Sequence, residues 1–167
     1  SNAISLGVTT TASGISSTAL GRKANASGNY STALGTEANA SGFSSTAFGN
    51  GANASNVGST ALGNASNASG YSATALGNLA TASGANSTAL GSKANASNTR
   101  SLAIGDVASA SGFSAIALGR SAKQNARCMV CTPSQTVQNQ AYRNSEALCG
   151  ERVVRRLKHV YSLASNP

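Results

Sequence analysis

A glycine returns every fourteen residues in this chain, at Gly7, Gly21, Gly35, Gly49, Gly63, Gly77, Gly91, Gly105 and Gly119. Four of the nine copies lead into it with Ser-Thr-Ala-Leu, as in Ser17-Thr18-Ala19-Leu20-Gly21, and the others with close variants. A second mark falls halfway between: Gly14, Gly28, Gly42, Asn56, Gly70, Gly84, Asn98 and Gly112. A fixed period without drift predicts a solenoid, because no unit this short buries a core without stacked neighbours. Function then becomes a matter of surface rather than of a pocket.

The columns of the repeat predict strand, turn, strand, turn in each unit. The Thr18 column holds threonine, leucine or isoleucine, and the Leu20 column holds leucine, isoleucine or phenylalanine. Between them the Ala19 column is alanine everywhere except Ser5. A short β-prone run bounded by turn residues reads as a strand. The second half-repeat, Ala24-Asn25-Ala26-Ser27-Gly28, also alternates with period two. Coils that pair in parallel and in register place like on like, so Asn25, Asn39, Asn53 and Asn67 should form a ladder that Thr81 interrupts. At a strand spacing of about 4.8 Å, eight coils and a fraction make a rod of about 40 Å. The Gly28 column admits only glycine or asparagine, which predicts a left-handed turn residue there. The Gly21 column admits glycine alone, so either its dihedrals or its lack of space exclude every other residue.

Composition limits the core. Among 167 residues, aromatics make up 4% and tryptophan is absent. With threonine and leucine read as pointing inward, the interior between two short strands is thin. Burial at about 25 cal/mol per Å² then falls short of an ordering cost of about 1–2 kcal/mol per residue. The Ala19 column, on the opposite face of that strand, would be left in water. The sheet is therefore expected to pack against other chains, making an obligate oligomer.

Charge is unevenly spread. Of the net +8, residues 120–167 carry eight cations and two anions, whereas residues 1–119 carry four cations and two anions. The nearly neutral repeat does not read as a nucleic-acid binder. Ser1-Asn2-Ala3 has the form of an expression-tag scar, and the chain reads as a fragment of a longer protein. No apolar run approaches the length of a spanning helix. The pattern fails after Arg120, which sets domains of 4–122 for the repeat, 123–150 for an irregular cap or neck, and 151–167 for a short amphipathic helix and tail. Val153, Leu157, Val160 and Ala164 carry that helix at heptad-like spacing. It could cap the roll or begin a coiled coil. Cys128, Cys131 and Cys149 all lie in this tail. The CxxC pair has no second pair to complete a zinc site, so no metal and no cofactor is expected.

These residues resemble the head repeat of trimeric autotransporter adhesins of the YadA type, SVAIGxxSxAxGxx. The resemblance runs from residue 4 to about 122, as in Ser31-Thr32-Ala33-Leu34-Gly35 followed by Ala38, Ala40 and Gly42, and most closely at Ser101-Leu102-Ala103-Ile104-Gly105. Threonine stands in place of the family's usual valine in six of nine copies. The resemblance implies an all-β fold, a left-handed parallel β-roll of 14-residue coils with two short strands per coil, assembled as a homotrimer. It implies an extracellular head on the outer membrane of a Gram-negative bacterium, held there by an anchor domain absent from this fragment. It also implies attachment to host cells or to an extracellular matrix protein such as a collagen-like fibre, fibronectin or laminin.

An enzyme is not expected. The repeat holds no histidine or cysteine and only Glu37 and Asp106 as acids, so no nucleophile–base pair can be assembled. The alternatives are an ice-binding solenoid using its threonine file, or a passive spacer holding another module away from the cell. Threonine sharing an inward face with leucine counts against the first. Within the trimer reading, Ala19, Ala33, Ala47, Ala61, Ala75, Ala89, Ala103 and Ala117 are expected at the interface. For the ligand surface, the residue after each second mark forms a partly apolar file that includes Ile15, Phe43, Val57, Tyr71 and Phe113. An apolar file left exposed along one edge usually binds something; the alternative is that this edge packs against the neighbouring chain of the trimer.

Overall fold

The computed structural model describes residues 2–125. The helix expected over 151–167, the cysteines, and residues 126–150 of the irregular segment lie outside them. Within the described residues the chain is all strand and turn. Nine three-residue strands, from Ile4–Leu6 to Ile116–Leu118, form one parallel sheet. Nine two-residue strands, from Thr11–Ala12 to Lys123–Gln124, form a second. Each coil contributes one strand to each sheet, and every pairing joins positions fourteen apart: Thr18 with Thr32, Ala19 with Ala33, Asn25 with Asn39. The roll runs through Gln124, two residues past the boundary expected at 122.

The interior differs from the expectation. Ala19, Ala33, Ala47, Ala61, Ala75, Ala89, Ala103 and Ala117 are fully buried within a single chain, at 0% exposure. They face the Ala24 and Ala26 columns across the roll, not a partner, so their expected place at a trimer interface is corrected. Threonine and leucine point outward: Thr18 is half-buried, and Leu20 remains 40% exposed. The physical reason is space. Two strands joined by tight four-residue turns sit too close to enclose a leucine. The four inward columns, at Ser17, Ala19, Ala24 and Ala26, accept nothing larger than serine except at the ends, where Thr10 and Gln124 stand. Residue size varies only in columns that face out.

All of the buried serines but one are tied to the turns; Ser87 Oγ is buried without a hydrogen-bond partner among the described residues. Ser17 Oγ donates to Gly14 O at 2.8 Å and Ser45 Oγ to Gly42 O at 2.7 Å, three residues back in each case. A hydroxyl can therefore replace an alanine methyl inside the roll because its hydrogen bond is satisfied locally.

The turns also correct the sequence reading. The left-handed residues are not those of the Gly28 column but those two positions after each mark: Ser16, Lys23, Tyr30, Glu37, Ser44 and onward every seven residues, at φ of 49–62°. Ala24 N–H donates to Gly21 O at 3.2 Å and Ser31 N–H to Gly28 O at 3.2 Å, closing four-residue turns. A positive φ at the third residue fits a type II turn. The left-handed residue spends its own N–H on the preceding coil, Lys23 to Val8 O at 2.9 Å and Tyr30 to Ile15 O at 2.7 Å. Coil-to-coil bonding thus continues around the corners, and it holds lysine, tyrosine and even valine in a conformation that glycine or asparagine would adopt more readily.

The Gly28 column is restricted by crowding instead. A Cβ on Gly28 would fall on the carbonyl of Gly42 in the next coil. Both exclusions apply at Gly21, which has φ of 132° and a Cβ position only 2.5 Å from Gly35 O. Asparagine enters the Gly28 column by rewiring. Gly28 N–H donates to Ala40 O in the next coil, at 3.3 Å. At Asn56 the backbone N–H turns to Ser59 Oγ instead, and the side-chain Nδ2 donates to Ser69 O of the next coil at 3.0 Å. Its Oδ1 accepts from Val57 N at 2.9 Å. Asn98 repeats the arrangement with Ser101, Ser111 and Thr99.

Candidate binding surface

Four outward surfaces follow from this register: two sheet faces and two edges. The face of the longer strands is partly apolar. Its leucine file includes Leu20, Phe48, Leu62, Leu90 and Leu118, all exposed in the single chain, and runs beside the file of Thr18, Thr32, Thr46, Thr60, Thr74 and Thr88.

The face of the shorter strands is polar and uncharged along most of its length. The expected asparagine ladder is present: Asn25 Nδ2 donates to Asn39 Oδ1 at 2.8 Å, Asn39 to Asn53 at 2.8 Å, and Asn53 to Asn67 at 2.9 Å. It stops at Thr81, which pairs with Asn67 through the backbone alone. The Ser27 file runs parallel to it.

The edge after Gly21 carries most of the charge. Glu37 lies 3.5 Å from Arg22 and 3.4 Å from Lys23 of the coil before, and Arg120 lies 3.7 Å from Asp106. All are exposed, and pairs of this kind contribute little to stability. Asn50, Asn64 and Asn78 make a second, looser ladder on the same edge, with amide contacts of 3.3 and 3.1 Å.

The edge after Gly28 is the apolar one. Ile15, Phe43, Val57, Tyr71 and Phe113 are all exposed there in the single chain, Phe43 at 49% and Tyr71 at 53%. Tyr30, in the neighbouring left-handed column, meets Phe43 edge to face, with ring centroids 5.5 Å apart and planes at 76°. The apolar file thus stands at one edge, in register, on turns fixed by inter-coil hydrogen bonds. Sequence reading left Tyr30 out of this cluster. Its signal was a large aromatic directly before Ser31, one coil behind Phe43.

Among the described residues, no three His, Cys, Asp or Glu side chains converge. The repeat, the in-register pairing and the small-residue core are joined by a sequence comparison. The profile of the YadA head domain repeat (2 copies) matches residues 1–21, 12–38, 40–66, 68–94 and 82–108, well over half of the chain. The chain belongs to the YadA head family. It is an adhesin-type repeat on a parallel β-roll, a family and fold whose members typically act by binding rather than by catalysis. A search of curated proteins found no match.

Proposed function

We propose that this YadA-like head is the binding part of a trimeric surface adhesin, presented outside the outer membrane of a Gram-negative bacterium and attaching it to host cells or extracellular matrix. The observation that carries the reading is the pair of exposed apolar files on one roll. The threonine–leucine face is a continuous, in-register sheet surface of the kind that self-association covers. It, rather than the alanine file, is the trimer interface in this proposal. The core of alanine and serine supports the same conclusion, because one roll buries few large side chains.

The aromatic edge is then the ligand surface, with Ile15, Phe43, Val57, Tyr71 and Phe113 making weak contacts that multivalency sums over three chains. Replacing Phe43, Tyr71 and Phe113 together with serine tests this. Loss of attachment to cells or to immobilised collagen, fibronectin or laminin, by a protein that still sediments as a trimer, is the expected result. Loss of the trimer itself would place the edge at the chain–chain interface instead.

One observation favours a second reading. The threonine file points outward on a sheet, so the objection that it shares an inward face with leucine no longer holds. An ice-binding role requires thermal hysteresis from the purified chain, and its absence eliminates that role. A spacer role predicts that the triple serine protein behaves like the parent in every attachment assay.

A further inference from the structure

The aromatic edge is nearly free of charge. Among the described residues eight side chains are charged, and six of them, Arg22, Lys23, Glu37, Lys93, Asp106 and Arg120, stand on the opposite edge. Only Arg100 stands on this one. A polyanion finds no file of cations here to pair with.

What borders the edge is neutral hydrogen-bonding capacity. Ser27, Ser41, Ser55 and Ser83 directly follow the shorter strands beside it, exposed, with hydroxyls that make no hydrogen bond among the described residues. The hydroxyls of Tyr30 and Tyr71 are equally uncommitted, and so is Asn29 Nδ2, whose Oδ1 accepts from Ile15 N at 2.9 Å.

The spacing is informative as well. Ile15, Phe43 and Tyr71 recur at every second coil, about 9.6 Å apart at a strand spacing of about 4.8 Å. That matches the advance of one disaccharide in an extended β-linked glycan, in which alternate sugars turn the same side to a surface. Apolar faces against the C–H faces of sugar rings, with hydroxyl and amide groups beside them, complement what a neutral glycan offers.

Building on the adhesin reading, we propose that this edge binds a linear, neutral, β-linked glycan of repeating disaccharides laid along the stack of coils. Ile15, Phe43 and Tyr71 each meet an alternate sugar, and the serine file and Asn29 supply hydrogen bonds. Single contacts are weak, so affinity grows with glycan length.

The test is a calorimetric titration of the full chain with tri-N-acetyllactosamine, a neutral hexasaccharide, a readout that does not depend on Tyr71 itself. Saturable binding is expected, at least about tenfold tighter than for the single disaccharide. A loss of at least about tenfold is expected in the Phe43→Ser/Tyr71→Ser protein, with circular dichroism and sedimentation unchanged. Should that protein misassemble, Tyr71→Ser alone must weaken binding while Tyr71→Phe retains most of it. No saturation at millimolar hexasaccharide overturns the proposal, and so does binding that ignores these substitutions. Attachment to cells, measured alongside, separates the two claims. A chain that attaches but is not competed by the hexasaccharide overturns the glycan proposal and leaves the adhesin reading standing. A chain that binds the hexasaccharide yet attaches to no host cell or matrix protein overturns the adhesin reading and leaves the glycan site.

Discussion

At the scale of single residues, backbone geometry decides what each turn tolerates. Gly63 has φ of 138°, and a Cβ on it would fall on the carbonyl of Gly77. Gly63→Val should therefore cost more than about 4 kcal/mol, because strain and a backbone collision add. Asn56→Gly should change stability by less than about 0.5 kcal/mol, since the glycine regains the inter-coil backbone bond that the asparagine side chain replaces. Thermal melts of both proteins check this pair, and comparable losses would refute the turn geometry. Val107 is a β-branched residue at φ of 58°, the kind of left-handed strain that costs about 1–3 kcal/mol. Val107→Asn should keep its N–H bond to Ser92 O, present at 2.9 Å, and relieve the strain. A gain of about 1 kcal/mol corresponds to roughly 2–4 °C in melting temperature.

At the scale of the strand and its ladder, register converts a sequence column into a physical file. Asn53 both accepts from Asn39 and donates to Asn67. Asn53→Ala should cost about 1–2 kcal/mol, two modest hydrogen bonds at a half-buried site. Asn95 pairs with Thr81 on one side and Ser109 on the other and makes no amide ladder. Asn95→Ala should cost measurably less, and chemical denaturation of the two proteins makes the comparison. Equal losses would mean that the ladder adds nothing beyond strand propensity.

At the scale of the whole molecule, adjacent residues of one strand have opposite fates. Ala61 faces the sealed interior and Leu62 faces out. Ala61→Glu should abolish folding, because there is no room for the side chain and no partner for the charge. Leu62→Glu should leave the roll's chemistry intact and act on assembly. Circular dichroism together with sedimentation equilibrium distinguishes the two, and a Leu62→Glu trimer of full stability would remove the threonine–leucine face from the interface. If folding and assembly are coupled, the melting temperature should also rise with protein concentration. A concentration-independent melt would indicate a roll that is stable alone.

Period, strand positions, parallel register and the asparagine ladder were all legible in the sequence, because each is a direct consequence of stacking identical units fourteen residues apart. The exclusive glycines at Gly21 and its equivalents were legible too, since a column that admits a single residue type reports a backbone constraint. Which face turned inward was not. Thr18, Ala19 and Leu20 alternate in either sense, and hydrophobicity alone favoured leucine for the core. The distance between the two sheets decided it, and that distance is a tertiary quantity set by the tight four-residue turns. The left-handed residues were hidden for a related reason. Lys23, Tyr30 and Val107 take that conformation because hydrogen bonds from the neighbouring coil impose it, whatever their own preference. The edge of Phe43 and Tyr71 was visible as a column, but its exposure, and the joining of Tyr30 to Phe43, came only with the way the coils stack at the corners.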